Sequence, residues 1–168
     1  EEAGITHFVV VCMENRSYDH YFGARALEGL GGDGLVTGMA NPRLDGTSVE
    51  VYAASAPCVH DPPHGWDPSH LQFNAGANDG FMRQYELRAG AGFEPHVMGY
   101  FGRETIPVLW ALADEFTSCG RWFCGILGPT WPNRFYLHGA TALGMTTNLP
   151  VVGFQSVFSQ LGQAGVSA

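Results

Sequence analysis

Two adjacent residues near the start of the sequence have side chains suited to binding a hard cation. Glu14 and Asn15 directly follow an apolar run, inside the segment CMENRSYDHYFG that begins at Cys12. Carboxylate, amide and hydroxyl oxygens are the ligands that a hard divalent cation prefers. The alternative is a turn at the end of a strand, with a solvated Glu and an Asn favoured by turn geometry. The spacing leaves both interpretations open.

A threonine between two prolines forms a second candidate position. Thr130 lies in the segment GPTWPNR, residues 128–134, where the pattern predicts the start of a helix. Free backbone N–H groups and the positive end of the helix dipole would favour a phosphoryl oxygen or an alkoxide there. Asn133 and Arg134 could add donors to a phosphate. The competing interpretation is an ordinary helix N-cap, which threonine commonly fills.

Histidines and aspartates are concentrated in the loop sequence of residues 57–70. His60 and His64 have the HxxxH spacing, but Pro62 and Pro63 between them forbid a helix. The two histidines therefore cannot share a helical face as in zinc proteases, which disfavours a tetrahedral zinc site. A loop that lends one or two histidines to a phosphate or its leaving group is favoured, because histidine titrates near neutral pH.

The cysteines do not identify a reactive centre. None of the four forms a CxxC pair, which a zinc or redox site would need. Cys119 and Cys124 lie beside Trp122 and Phe123. This apolar setting predicts that both cysteines are core residues or form one disulfide.

An α/β arrangement would position these candidates. The apolar, β-branched run over 5–13 predicts a strand buried on both faces of a parallel sheet. Because ligands bind beyond the carboxyl ends of such strands, Glu14 and Thr130 could face one crevice. Further strands are predicted over 49–53 and 117–127. Helices are predicted over 78–88, over 105–116, from Pro132 onwards and over 156–168. Loops are predicted over 29–38 and 57–70.

Composition excludes several functional classes. Eight basic residues against 16 acidic ones give a net charge of −8, which argues against nucleic acid as a partner. All the basic residues are arginine, which excludes a Schiff-base lysine, a P-loop lysine and a Ser-Lys dyad. With 45% hydrophobic and 14% charged residues, the sequence is typical of one folded domain. We expect neither a membrane span nor a retained signal peptide.

Several blocks of the sequence together resemble one protein family. They are HFVVVCMENRSYDHYFG, HDPPHGW, NDGFMRQY and IPVLWALADEFTSCGRWFCGILGPTWPNRFYLHG. In order and separation they are similar to the bacterial phosphoesterase family that contains non-zinc-finger phospholipases C, haemolytic and non-haemolytic, and related acid phosphatases. The resemblance spans nearly the whole chain, and the MENRSYDHYFG and GPTWPNR blocks are its most specific parts.

The resemblance implies an alkaline-phosphatase-like α/β sandwich with a largely parallel sheet. It also implies a divalent metal ion, of unknown identity, and a phospholipid or other phosphate ester as substrate. Threonine at the nucleophile position, where the acid phosphatases tend to have serine, favours a phospholipase C-type phosphodiesterase over an acid phosphatase. The implied roles are metal binding for Glu14, Asn15 and Thr130, catalysis for Thr130, His60 and His64, and substrate binding for Asn78, Asn133 and Arg134.

One part of the family pattern has no match. The family completes its metal site with carboxylates from a much later segment, whereas no Asp or Glu follows Glu115. We therefore expect residues 1–168 to be the amino-terminal part of one catalytic domain of a secreted or periplasmic enzyme, lacking a carboxy-terminal segment. Phe8, Val9 and Val10 would then be uncovered. The alternatives are a non-catalytic metal-binding fragment, or a structural domain if Glu14 and Thr130 lie far apart.

Overall fold

The computed structural model describes residues 4–55, 58–150 and 153–168, and the side chains of 94 and 95 are not among those described. The α-helices are α1 (Tyr18–Phe22), α2 (Ala24–Leu27), α3 (Trp66–Phe73), α4 (Phe81–Ala89), α5 (Pro107–Glu115), α6 (Thr130–Gly139) and α7 (Val157–Gln163). The strands are β1 (Ala40–Pro42), β2 (Ser48–Glu50), β3 (Tyr52–Ala53) and β4 (Gly99–Tyr100), and short 3₁₀ turns cover Asn74–Gly76 and Glu94–Met98.

The described strands form two small sheets. β1 and β2 pair antiparallel, with Ala40 opposite Glu50 and Pro42 opposite Ser48. β3 and β4 pair in parallel, with Tyr52 opposite Gly99. The predicted short strand over 49–53 is therefore confirmed, although it is divided between the two sheets. Helices and small sheets together agree with the predicted α/β class at this coarse level.

The predicted helices are confirmed, although their ends differ from the prediction by up to five residues. α5 begins at Pro107, whose fixed φ suits the first turn of a helix and whose missing N–H is not needed there. α4 begins at Phe81, three residues after the predicted start, because Asn78 has a φ of +52° that no α-helix contains. The loop over 29–38 is confirmed. The loop over 57–70 is wrong from Trp66, where α3 starts, and its residue Pro57 lies outside the described residues.

The core lies around two aromatic side chains, Trp110 of α5 and Tyr85 of α4, both fully buried. The Trp110 Nε1–H donates to the Tyr21 carbonyl at 3.1 Å, and the Tyr85 hydroxyl donates to the His60 carbonyl at 2.6 Å. Each ring thus packs in the core while its polar atom has a partner. These two bonds connect α5 to α1, and α4 to the loop that contains His60.

An ion-pair network covers the Trp110 ring from outside. The Asp114 carboxylate accepts hydrogen bonds from the buried Arg25 and, at 2.5 Å, from Arg103. Both guanidinium groups lie over the indole, with Arg103 4.9 Å from the ring centroid. The hydrogen bonds from Arg103 and Arg25 lower the pKa of Asp114 below its usual 3.8. The network fastens α2 to α5.

The predictions of strands over 5–13 and 117–127 are wrong. Neither segment has regular structure or makes a backbone–backbone hydrogen bond to another described residue. A strand exists only where a neighbour supplies N–H and C=O groups, which periodicity within one segment cannot guarantee. The prediction that Cys119 and Cys124 are core residues or form a disulfide is also wrong, because both are exposed with free thiols.

Large apolar side chains remain on the surface as a result. Phe8, Val9 and Val10 are 85%, 85% and 86% exposed, so their expected exposure is confirmed. The chain has an accessible surface of 11301 Å² at 18.1 kDa. A compact monomer of this mass has roughly 8,100 Å². The structure therefore leaves an extensive apolar surface without a partner. No helix in the described part of the chain is long and apolar enough to cross a membrane.

His20 of α1 gives the fold a dependence on pH. Burial lowers its pKa below the usual 6.5, the neighbouring Arg16 charge lowers it further, and a hydrogen bond with the Gly99 backbone opposes these effects. The Arg16 Nη1 lies 3.2 Å from His20 Nε2. Since arginine can only donate, Nε2 accepts and the ring is neutral.

We therefore predict that unfolding becomes easier as the pH falls below 6.5. The unfolded chain then binds a proton at His20 that the folded chain resists, so the stability present above this pH is progressively lost. Urea unfolding between pH 5 and 8 measures the effect. His20→Gln should flatten this acid limb, and an unchanged slope in that variant would assign the dependence to other groups.

Candidate active site

The best candidate site is an open cleft of about 680 Å³ at the start of α6. Four parts of the chain form its walls: the segment at the end of the first apolar run, the loop that contains His64, the segment before α6, and the first turns of α6 itself. The lining residues are those at 12–16, 122–125 and 128–130, together with His64, Asn133, Arg134, Tyr136 and Leu137.

Thr130 is the first residue of α6 and does not cap it. The N-cap is Pro129, which has extended backbone and no side-chain hydrogen bond. The Trp131 N–H is satisfied from outside the helix by the Asn148 Oδ1 at 2.9 Å, and Pro132 has no N–H to satisfy. The ordinary N-cap interpretation of Thr130 is therefore wrong. Its hydroxyl is directed at a residue from another part of the chain.

Asn133 holds the loop that carries Thr130. Its Nδ2 donates to the carbonyls of Ile126, Gly128 and Pro129 at 3.1 to 3.2 Å. Its Oδ1 accepts the Ile126 N–H at 3.2 Å. The side chain is half-buried and both ends of its amide are used on backbone groups. Asn133 lines the cleft, and in this structure it fixes the loop over 126–129.

Glu14 meets Thr130 and Arg134 in the cleft. The Thr130 Oγ1 lies 3.4 Å from Glu14 Oε1, across 116 residues of sequence. The Arg134 Nε and Nη2 donate to Glu14 Oε2 at 2.9 and 2.8 Å. The structure thus brings together the two segments that the sequence singled out. The alternative of a purely structural domain required Glu14 and Thr130 to lie far apart, and they do not.

The spacing of the two oxygens suits a shared cation better than a hydrogen bond. A good O–H···O bond spans about 2.5–3.0 Å, so 3.4 Å between Oγ1 and Oε1 is long. Two oxygen ligands at right angles on one Ca²⁺-like ion lie about 3.3–3.7 Å apart. Asn15 lines the same cleft. In type and spacing the donors fit a hard cation, although the described residues contain no group of three or more His, Cys, Asp or Glu arranged to hold one.

His64 is the histidine that reaches the cleft. Its Nδ1 lies 2.8 Å from the Pro62 carbonyl, which can only accept, so Nδ1 carries the proton. A neutral ring then has its lone pair on Nε2, available to take or relay a proton. His64 also borders a second cleft of about 610 Å³, lined by Trp66, Arg88 and residues 146–148 among others.

His60 and Asn78 do not line either cleft. The exposed His60 ring packs edge-on against Phe93, with 4.5 Å between centroids. Asn78 supplies its carbonyl to the side chain of the buried Asn41 at 2.8 Å. Of the predicted site residues, the cleft therefore contains Glu14, Asn15, His64, Thr130, Asn133 and Arg134.

Two contributors to the site were not found from the sequence. Arg16 lines the cleft next to the predicted Glu14–Asn15 pair, and its place in the same block was the available signal. Asn148 fixes the first turn of α6 from 17 residues downstream. No local pattern connects Asn148 to the helix start, because the contact depends on how the chain returns after α6.

Comparison with known proteins identifies the family of the chain. The phosphoesterase family model matches residues 5–168. Phospholipase C A of Mycobacterium tuberculosis is 38% identical over 150 residues, which cover 79% of this chain and 28% of that protein. The haemolytic phospholipase C of Pseudomonas aeruginosa is 37% identical over 147 residues, with 79% and 18% covered. Non-specific phospholipase C1 of Arabidopsis thaliana is 34% identical over 180 residues, with 97% and 33% covered.

The chain belongs to the phosphoesterase family, because the family model matches nearly all of it. The predicted resemblance is confirmed. The chain spans at most a third of the length of these three relatives.

The Asn133 contacts generate a stability prediction. Asn133→Ala should lower the free energy of unfolding by about 1–3 kcal/mol, because half-buried backbone groups of the loop over 126–129 lose their partner. Chemical denaturation measures the change. Tyr136→Phe, on the same helix and more exposed, is the control and should change stability little. Equal stability of Asn133→Ala and the parent protein would show that water replaces the amide without loss.

Proposed function

We propose that this chain supplies the nucleophile and part of the metal site of a phospholipase C-type phosphodiesterase. The observation that carries the proposal is the 3.4 Å approach of the Thr130 hydroxyl to the Glu14 carboxylate, in a cleft at the start of a helix. The relatives named phospholipase C support the reaction type. The function is hydrolysis of a phosphate ester, with a phospholipid as the favoured substrate class.

In the proposed reaction, the Thr130 oxygen attacks phosphorus in line with the leaving alcohol. A histidine takes the proton of the Thr130 hydroxyl, a bond forms between Thr130 Oγ1 and phosphorus, the bond between phosphorus and the leaving oxygen breaks, and the same histidine gives the proton to that oxygen. Water then attacks the phosphothreonine, which frees the phosphorylated head group and regenerates the hydroxyl. We assign the proton transfers to His64, because it lines the cleft. Its Nδ1–H donates to the Pro62 carbonyl, so Nε2 is the atom that takes and gives the proton.

Glu14, Asn15 and Thr130 would hold the divalent cation. When bound, the cation lowers the pKa of a coordinated hydroxyl and offsets negative charge in the transition state. One carboxylate, Glu14, and two guanidinium groups, Arg16 and Arg134, line the described cleft, so it has no net negative charge with which to attract a dication. We infer that further carboxylates, from polypeptide outside this chain, complete the site.

The same reasoning extends to the fold and the location of the enzyme. We propose that the exposed segments over 5–13 and 117–127 become strands of an alkaline-phosphatase-like sandwich when further polypeptide pairs with them. Their exposed apolar side chains support this proposal. A secreted or periplasmic location is what the family resemblance implies for such an enzyme.

Thr130→Val should abolish turnover of p-nitrophenylphosphorylcholine by an active form of the protein that contains this chain. Valine keeps the shape of the side chain and deletes the attacking oxygen, so a loss of several orders of magnitude is expected, as for other covalent nucleophiles. Thr130→Ser is the matched control and should retain measurable activity. More than a tenth of the parent activity in Thr130→Val would exclude Thr130 as nucleophile. Faster turnover of p-nitrophenyl phosphate would instead favour an acid phosphatase.

Glu14→Gln should weaken Mn²⁺ binding, measured by titration with electron paramagnetic resonance. The amide is isosteric but carries no charge to offset the cation, so excess Mn²⁺ should restore part of the activity. Asp33→Asn, which changes an exposed carboxylate paired with Arg121 outside the cleft, is the control. Unchanged Mn²⁺ affinity in Glu14→Gln would mean that Glu14 is not a ligand. The 168-residue chain alone should bind Mn²⁺ weakly and hydrolyse phosphate esters little.

A further inference from the structure

The segment that carries Glu14 has no secondary structure to hold it in the cleft. Residues 5–15 make no backbone–backbone hydrogen bond to any other described residue. Within the described part of the chain, hydrogen bonds from this segment to distant residues come from the Glu14 carboxylate. The position of Glu14 therefore depends on its side-chain partners.

Arg134 contacts Glu14 in a way that fixes its orientation. Both donors, Nε at 2.9 Å and Nη2 at 2.8 Å, are directed at the same oxygen, Oε2. The other oxygen, Oε1, is then the one that faces the Thr130 hydroxyl. A planar guanidinium that directs two charge-assisted bonds at one oxygen holds that oxygen in place, which leaves Oε1 as the oxygen that can face Thr130.

The guanidinium itself is well supported. It lies over the Trp131 ring, 5.5 Å from the centroid, and the Trp131 N–H is bonded to Asn148. Arg134 and Thr130 are four residues apart on α6, so they share one helix face. One rigid element thus presents the hydroxyl and, one turn later, the group that binds the carboxylate.

We propose that Arg134 is a positioning residue, which fastens Glu14 to α6 and turns Oε1 toward Thr130, rather than a ligand of the substrate phosphate. The inference rests on the proposed function for the role of Glu14 as a cation ligand. The attachment and orientation of Glu14 by Arg134 stand apart from that role and are tested separately.

The first measurement is the backbone order of residues 13–15 by ¹⁵N NMR relaxation, without metal. In the parent chain we expect order parameters above those of flexible backbone, and in Arg134→Ala values below about 0.6. The α6 amides should not change. Arg134→Lys should rescue the order only in part, because a single ammonium cannot reproduce the planar pair of donors. Arg121→Ala is the matched control, since its exposed pair with Asp33 lies outside the cleft.

The second measurement separates positioning from a merely structural ion pair. The charge exchange Glu14→Arg with Arg134→Glu keeps an ion pair between the segment and α6. It moves the carboxylate onto α6, away from the position that the Glu14 Oε1 occupies in the parent chain. It should restore the order of residues 13–15 without restoring Mn²⁺ affinity. Because Arg134→Ala also removes a positive charge that repels a dication, the Mn²⁺ test uses Arg134→Lys, which keeps that charge but not the planar pair of donors and should weaken Mn²⁺ binding about 10-fold.

Order parameters that stay unchanged in Arg134→Ala would overturn the proposal. If inorganic phosphate also bound more weakly to that variant, Arg134 would be assigned to the substrate instead. Recovery of both order and Mn²⁺ affinity in the charge exchange would reduce Arg134 to a structural partner. If the parent chain binds no Mn²⁺, the metal assignment in the proposed function fails, while the order parameters still decide whether Arg134 positions Glu14.

Discussion

The contact between Glu14 and the first turns of α6 is the interaction on which the candidate site depends. It joins a segment without secondary structure to a helix whose start is fixed by Asn133 and Asn148. The helix supplies a hydroxyl and a guanidinium, one turn apart, and the carboxylate lies between them. Without this contact the chain would contain the residues of the candidate site but no arrangement of them.

Features that depend on neighbouring residues were predictable from the sequence. The starts of α5 and α6 follow from Pro107 and Pro132, which favour a first helical turn. The residues facing the cleft were identified chiefly from the MENRSYDHYFG and GPTWPNR blocks. Glu14 and Thr130 do meet, which an argument from the carboxyl ends of strands anticipated, although neither predicted strand forms.

Features that depend on distant partners were not predictable. The runs over 5–13 and 117–127 have the composition of buried strands, yet composition does not supply the neighbouring backbone that a strand requires. The role of Asn133 differs from the predicted role for a related reason. Its position in the first turn of α6 suggested a phosphate donor, whereas its amide is used on the Ile126, Gly128 and Pro129 backbone. Only the path of the preceding loop determines that use.

The small contribution of the ion pair between Glu14 and Arg134 makes the site the first part of the molecule to open. Joining residues 120 apart costs about 4 kcal/mol of loop entropy, whereas an exposed ion pair contributes about 0–1 kcal/mol. The loop must therefore be closed mainly by the packing of α1, whose His20 carbonyl accepts the Phe101 N–H at 2.7 Å. The segment ahead of α1 can then detach while the core around Trp110 stays folded. On warming, assembly of the site would be lost before cooperative unfolding of the domain.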